Sequence, residues 1–353
     1  MRPDVSIVIP AYNPQERIFT RVLKAVAGLS RHGSPSVECV VIDNRSTPPL
    51  HERREVQEFL ADVPGARVVP ENRQGLTFAR IAGIRATSGG TIVVLDDDNV
   101  PSPSYVEVVT RLIEEYPFVG VWGPGNVDVE LLDAVQPWLE QRAKAHHGQK
   151  SNRHVQYGCV PGSWHTFYPH GIGQVIRRDV AESFRSAVES GKLSVTDRAG
   201  GSLASAGDNQ IVWQAINMGL AAGLHPDLRV LHLIPGSRTT IKYLRRLMFG
   251  CALSYCQALA QSFPSEADEW RRNVPNAARC GIQLSKVVMQ NAVRTHLRFL
   301  SVDLAELLGE ICGHLSVAGY DDHWTFTLAR RLGLTSSSSR PPMGANASTA
   351  EGV

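Results

Sequence analysis

The sequence has no long apolar run. The stretch Val5-Ser6-Ile7-Val8-Ile9 near the N-terminus is short and ends in Pro10. No segment approaches the ~20 apolar residues that span a bilayer, and none reads as a signal peptide. Cysteine is sparse: the six (Cys39, Cys159, Cys251, Cys256, Cys280, Cys312) are scattered and form no CxxC pair. That excludes the usual zinc spacings and argues against a disulfide framework, leaving reduced thiols in a cytoplasmic protein. Charge of one sign is also lacking. With 36 Lys and Arg against 34 Asp and Glu, the net charge is +2. Nothing in that balance points to nucleic acid or an acidic polymer. No GxGxxG follows the first apolar run, which disfavours a dinucleotide-dependent dehydrogenase. No internal repeat is present.

What the chain does have is length and a patterned first half. Its 353 residues, 43% of them hydrophobic, suffice for one large domain or for one domain with a helical appendage. Val5–Ile9, Val37–Ile42, residues 66–69 and Thr91–Leu95 read as strands. Gln15–Leu29, Glu52–Leu60 and Leu76–Ala86 carry helical spacing. This alternation predicts an α/β fold with a mostly parallel sheet covered on both faces. Residues from Val127 to Tyr157 look irregular. A helix is expected over Gly207–Gly219 and a strand over Leu228–Leu233. Beyond Ile234 the alternation stops, and Thr239–Ala260 and Ile282–His314 read as amphipathic helices. From Thr335 the composition predicts disorder. The expected organisation is thus residues 1–235, 236–334 and a tail over 335–353.

Open parallel sheets bind ligands beyond the C-terminal ends of their strands. Three predicted strand ends carry polar residues: Ala11-Tyr12-Asn13, Asp43-Asn44 and Asp96-Asp97-Asp98. Three adjacent carboxylates repel one another, and burial drives at least one toward protonation. A divalent cation removes that conflict, and Mg²⁺ or Mn²⁺ keeps positions open for phosphate oxygens. On its own the triplet also fits a solvated loop.

VSIVIPAYN (5–13), VVIDNRST (40–47), GLTFARIAGIRA (75–86) and VVLDDDNVP (93–101) stand in the order and spacing of family 2 glycosyltransferases, which the chain resembles over roughly residues 4–235. The resemblance implies the GT-A fold and inverting transfer from a nucleotide-sugar donor. It places Pro10, Ala11, Tyr12 and Asn13 against the nucleoside. Asp43 would accept from the base ring N–H, which suits uracil or the imide edge of guanine, so a UDP-sugar is expected. Arg80 would lie near the donor phosphates or hold the acidic loop. Asp98 would contact Mn²⁺ or Mg²⁺, with Asp96 at the ribose or a metal-bound water and Asp97 beside them. Ala206-Gly207-Asp208 resembles the family's Glu-Asp element, with Gly207 in place of the glutamate and Asp208 as the base. His232 would complete the metal site. Tyr168-Pro169-His170-Gly171-Ile172-Gly173, followed by Arg177-Arg178, resembles an acceptor-side segment for a hydroxyl-bearing glycan, lipid-linked sugar or small molecule, and Trp164 offers a stacking face.

Each residue also has an ordinary reading. Asp43 caps a turn, Arg80 is a helix residue, Asp208 is an N-cap, and His232 is a hydrogen-bonded core histidine. Arg238, Lys242, Arg245 and Arg246 share a predicted helical face, which suits a diphosphate, the inner face of an anionic membrane or plain solvent. Two other enzyme classes compete. Asp96-x-Asp98 fits the nucleophile motif of haloacid-dehalogenase-type phosphatases, but it ends a late strand, is followed by Pro101, and lacks a downstream acidic pair. A sugar nucleotidyltransferase would carry a glycine-rich basic loop where Ala11–Gln15 stands. A catalytically dead nucleotide-sugar-binding module would not need Asp96, Asp98 and Asp208 together.

Overall fold

The protein is described by a computed structural model covering residues 4–335, apart from 31–35, 196, 199–201, 275 and 294–296. The expected tail lies outside the described residues, apart from Thr335. The first half alternates as its pattern predicts: β1 (Val5–Ala11), α1 (Glu16–Ser30), β2 (Val37–Asp43), α2 (Arg54–Asp62), β3 (Arg67–Pro70), α3 (Leu76–Ala86) and β4 (Thr91–Val94). β1 runs through Pro10, because the parallel ladder to β2 continues to Ala11 and Asp43. Next come β5 (Asn99–Pro101), α4 (Tyr105–Glu115), β6 (Val119–Leu131), α5 (Pro137–His146), β7 (Lys150–Ser151), β8 (Gln156–Gly158) and β9 (Gln174–Arg177). α6 (Arg178–Glu189), α7 (Gly207–Asn217) and β10 (Ala221–Ile234) follow.

The sheet order is β3-β2-β1-β4-β9-β6-β10-β5, with β7 on β6 and β8 on β10. β3, β2, β1 and β4 are parallel, as are β6 and β10; β9 and β5 run against their neighbours. Both faces are buried, which is why the strands are apolar at successive positions. In β1, Ile7 and Ile9 face the core under α1 and α4, while Val8 faces the core under α3, α6 and α7. Val41 and Val40 of β2, and Val93 and Val94 of β4, divide in the same way. This is the period of two that a strand imposes.

The stretch that reads as irregular, Val127 to Tyr157, holds the end of the long strand β6, then α5, β7 and the start of β8. Gly120, Gly123, Pro124 and Gly125 hide β6 in the sequence because they resemble a turn. They are there for space: a Cβ on Gly123 would lie 2.4 Å from Pro169 Cβ, and one on Gly125 2.8 Å from the His225 backbone. The irregular register between β6 and β10 occurs at the same place.

Beyond Ile234 the chain is helical: α8 (Ile241–Ser262), α9 (Pro264–Arg272), α10 (Ala277–Val293), α11 (Leu300–Val317) and α12 (Trp324–Arg331). The expected single helix over Ile282–His314 is two helices, with a turn at Leu297–Phe299. α11 lies against α8 at close range, where a Cβ on Gly309 would stand 2.4 Å from Phe249 O. α8 in turn docks on α7. Gln210 donates to Gln261 at 3.1 Å and Asn217 to the Ser262 carbonyl at 3.2 Å. No helix among the described residues is long and apolar enough to cross a membrane.

Candidate active site

Because β2, β1 and β4 are parallel neighbours, their C-terminal ends meet at one edge. There they open into a cavity of about 1000 Å³, the size of a substrate site. Pro10, Ala11 and Tyr12 line it, as do Asn44, Arg80 and the three aspartates. Tyr12 is 49% exposed, so its ring is open to a planar ligand. Asn13 is not among the lining residues. It adopts a left-handed backbone (φ 47°) and accepts the Thr47 N–H at 2.7 Å, holding the next loop. Asp43 is likewise turned to its own loop. Its carboxylate accepts the N–H groups of Ser46 and Leu50, both at 2.8 Å. Asn44 takes its place in the wall, accepting the Gly75 N–H at 2.8 Å and so fixing the start of α3.

The acidic cluster is divided by its neighbours. Asp98 is buried; Arg238 Nη1 lies 2.5 Å from its Oδ2, and His232 Nε2 lies 3.4 Å from its Oδ1. Asn99 donates to the same Oδ1 at 2.9 Å. Burial would raise its pKa, but His232 and Arg238 overcome that and hold it well below the usual carboxylate range. Asp96 and Asp97 go the other way. Burial, with the charge of Asp98 added, pushes Asp96 to about 6 against the pull of Arg80, and Asp97 to about 8. The repulsion read from the sequence is therefore present, and two of the three aspartates carry it.

β5 explains why His232 arrives here. Beginning directly after the cluster, it pairs antiparallel with β10 and sets His232 opposite Asn99. His232 Nδ1 lies 2.9 Å from the His147 carbonyl, which can only accept, so Nδ1 carries a proton. The neutral ring then presents Nε2 as its lone pair, on the side facing Asp98. Burial opposes the imidazolium, but Asp98 outweighs it, so His232 is raised above its ordinary value.

Among the described residues no group of three His, Cys, Asp or Glu forms a ready-made metal cage. The donors Asp98 and His232, with the buried and unpartnered Asp96 Oδ1 nearby, instead make an open set. Hard oxygens plus one imidazole fit Mn²⁺ or Mg²⁺, whose remaining positions are filled by water and phosphate.

Asp208 opens α7 and is buried. The helix has no side-chain cap, so the N-cap reading fails. Its Oδ2 accepts the Gly171 N–H at 2.7 Å, while Oδ1 is buried with no partner. Gly171 leaves little room for a larger residue at this contact. A Cβ there would stand 3.0 Å from Arg80 Nη2 and 3.1 Å from Asp208 Oδ2. Gly171 also lines the cavity. Gly173 is behind the site: its φ is +60° and its N–H donates to Asn99 at 3.2 Å. Trp164 lines the cavity, but one face is already stacked by His170 at 5.1 Å between centroids.

The basic residues separate. Arg238 reaches Asp98, and Arg245 donates to the Leu332 carbonyl at 3.2 Å, so the four do not present one common face. Arg177 and Arg178 bond to the carbonyls of Pro117 and Gly89, away from the cavity. Arg80 is 3% exposed and donates to Asp197 at 2.9 Å, not to the acidic loop. Sequence reading missed Asp197, Arg238 as a partner of Asp98, and His147. No local signal marks the first, which lies in a loop between α6 and α7. α8 and α11 also wall the cavity, contributing Cys251, Tyr255 and Glu306 among others.

The family model described as "Glycosyl transferase family 2" matches residues 6–184, half of the chain. A dolichol-phosphate mannosyltransferase from Pyrococcus furiosus is 34% identical over 113 residues, 31% of this chain and 29% of that one. The succinoglycan biosynthesis protein ExoO from Rhizobium meliloti is 33% identical over 138 residues, 37% of this chain and 35% of that one. The chain thus aligns with about a third of the length of these two relatives. Among solved structures, a mannosyltransferase from Pyrobaculum calidifontis in complex with GDP-Man and Mn²⁺ superposes with a TM-score of 0.50 at 15% identity. That match covers 92% of this chain and 89% of the other, and it shows the shared GT-A fold.

Proposed function

The chain belongs to glycosyl transferase family 2, and from that premise we propose that it moves a sugar, with inversion, from a nucleoside diphosphate, UDP foremost, to a hydroxyl group. One observation carries this reading above the rest. Asp208 is fixed through Oδ2, while its Oδ1 is buried and unpartnered, in a cavity that the acidic cluster also lines.

In this reading Tyr12 and the Pro10–Ala11 backbone frame the base. Asp43 keeps the loop behind the base in place through Ser46 and Leu50. A contact from Asp43 to the base would share one of those oxygens. Asp98 and His232, with Asp96 beside them, would hold Mn²⁺ or Mg²⁺. When bound, the cation neutralises charge on the departing diphosphate. Asp208 Oδ1 takes the proton of the acceptor hydroxyl as its oxygen attacks the anomeric carbon from the face opposite the diphosphate. The C–O bond to the donor phosphate breaks, the diphosphate leaves with the bonding pair, and the configuration inverts. α8 and α11, with Trp164 and His170, form the acceptor side. The names of the relatives favour a glycan or lipid-linked acceptor in polysaccharide or glycolipid synthesis. The phosphatase and nucleotidyltransferase readings lose ground, since the family match is to glycosyl transferases.

The test is Asp208→Asn. Donor binding, read by thermal shift with Mn²⁺ across a panel of nucleotide-sugars, stays near wild type. Transfer falls by about 10²–10⁴-fold, the usual worth of a positioned base. Equal loss of binding and transfer makes Asp208 structural. Full transfer in excess EDTA removes the metal from the mechanism.

A further inference from the structure

Gly207 stands where the resemblance expects a glutamate, and the structure shows what occupies that space. A Cβ on Gly207 would lie 2.5 Å from Asp197 Oδ2 and 3.2 Å from Arg80 Nη1. A carboxylate is therefore already present at the root of the missing side chain, delivered from a different stretch of chain. Asp197 is fully buried. Its carboxylate accepts the N–H of Ala206 at 2.6 Å, that of Gly207 at 2.9 Å, and Arg80 Nη1 at 2.9 Å. Its own backbone is tied to the first turn of α3: its N–H donates to Thr77 Oγ1 at 3.1 Å, and its carbonyl accepts from Leu76 at 2.9 Å. Ala206, the residue before α7, has no side chain that could cap the helix, so Asp197 supplies the acceptor for those N–H groups.

Arg80 gives this arrangement a consequence for the base. Arg80 Nη2 and Asp208 Oδ2 lie 3.0 and 3.1 Å from the same point, the place a Cβ on Gly171 would take. The guanidinium and the base thus border the same small space, which Gly171 leaves free of a side chain. An arginine buried here without an anion of its own would pair with Asp208 and withdraw the base from use.

We propose that Asp197 is a positioning residue for Asp208. It supplies from the loop leading into α7 the carboxylate that position 207 lacks, gives Arg80 its counter-charge, and fixes the first turn of α7 so that Asp208 Oδ1 stays open. This rests on the reading of Asp208 as base.

The test compares Asp197→Asn, Asp197→Gly, Gly207→Glu and the double variant Asp197→Gly/Gly207→Glu in the full chain, with Asp208→Asn alongside. Transfer kinetics, donor binding and thermal unfolding are measured for each. In Asp197→Asn, kcat drops by about 10–100-fold while KM for the donor changes little, as expected for loss of an interaction that acts on the chemical step. Gly207→Glu alone is inactive or unfolded, because its Cβ meets the Asp197 carboxylate. The double variant folds and regains at least about tenfold in kcat over Asp197→Gly, because the carboxylate now comes from position 207. A purely structural Asp197 would not give that rescue. Wild-type kcat in Asp197→Asn overturns the proposal, as does a double variant that is unfolded or no better than Asp197→Gly. Activity retained in Asp208→Asn overturns the base assignment itself. An inactive Asp208→Asn with no rescue at 207 removes only the role of Asp197.

Discussion

Removing Arg238 should make the protein bind a divalent cation more tightly. Arg238 Nη1 sits 2.5 Å from Asp98 Oδ2, the carboxylate proposed to hold the metal. A cation entering the site must take that oxygen from the guanidinium and tolerate its charge nearby. Asp98 is only 8% exposed, which strengthens the pair, but the Arg238 side chain is 40% exposed, so water and salt screen it. A pair of this kind is worth about 1 kcal/mol, and losing the competition corresponds to roughly a fivefold change in a dissociation constant. In Arg238→Ala, Mn²⁺ alone, followed by electron paramagnetic resonance or calorimetry, should bind about fivefold tighter. The gap to wild type should shrink as salt rises. With donor present the ordering reverses, because the guanidinium freed by the metal lies in the cavity wall and can pair with the diphosphate. Unchanged or weaker Mn²⁺ binding in Arg238→Ala would refute the reasoning, since Arg238 would then not compete for Asp98.

His232→Gln should raise the Mn²⁺ dissociation constant by about tenfold, the lower range for disturbing a metal ligand's shell, with little change in melting temperature. A purely structural His232 would show the reverse. Gly309→Ala should lower stability by about 1–3 kcal/mol, read from denaturant unfolding, since its Cβ would meet Phe249 O at 2.4 Å and push α11 off α8. Wild-type stability would show that the two helices can separate freely.

The parts of this architecture visible in the sequence were those governed by local patterns. β1, β2 and β4 are apolar at most successive positions because both faces are buried, and α3 shows its boundaries through Gly75 and Ser88-Gly89-Gly90. The meeting of the Tyr12, Asn44 and Asp96 ends followed from parallel order alone. β6 stayed hidden because Gly120, Gly123 and Gly125 answer to neighbours distant in sequence, Pro169 and His225 among them. The same limit applies within the site. Asp98 and His232 were both singled out, but Arg238 on Asp98 and Asp197 beneath Gly207 are tertiary contacts with no spacing to mark them. Asp43 looked like a ligand residue and is turned to its own loop, because two backbone N–H groups reach its oxygens first.

A strand that runs with its neighbours can place at the binding edge only the residues that follow it. β9 runs against β4 and β6, so the residues that precede it reach that edge instead. This is how Trp164, His170 and Gly171 enter the cavity before the chain turns away along β9. β5, reversed against β10, does the same for Asp98, which both follows β4 and precedes β5. Inverting β9 and β5 gives the sheet inbound as well as outbound deliveries, so one edge gathers residues from both directions of the chain without a second sheet.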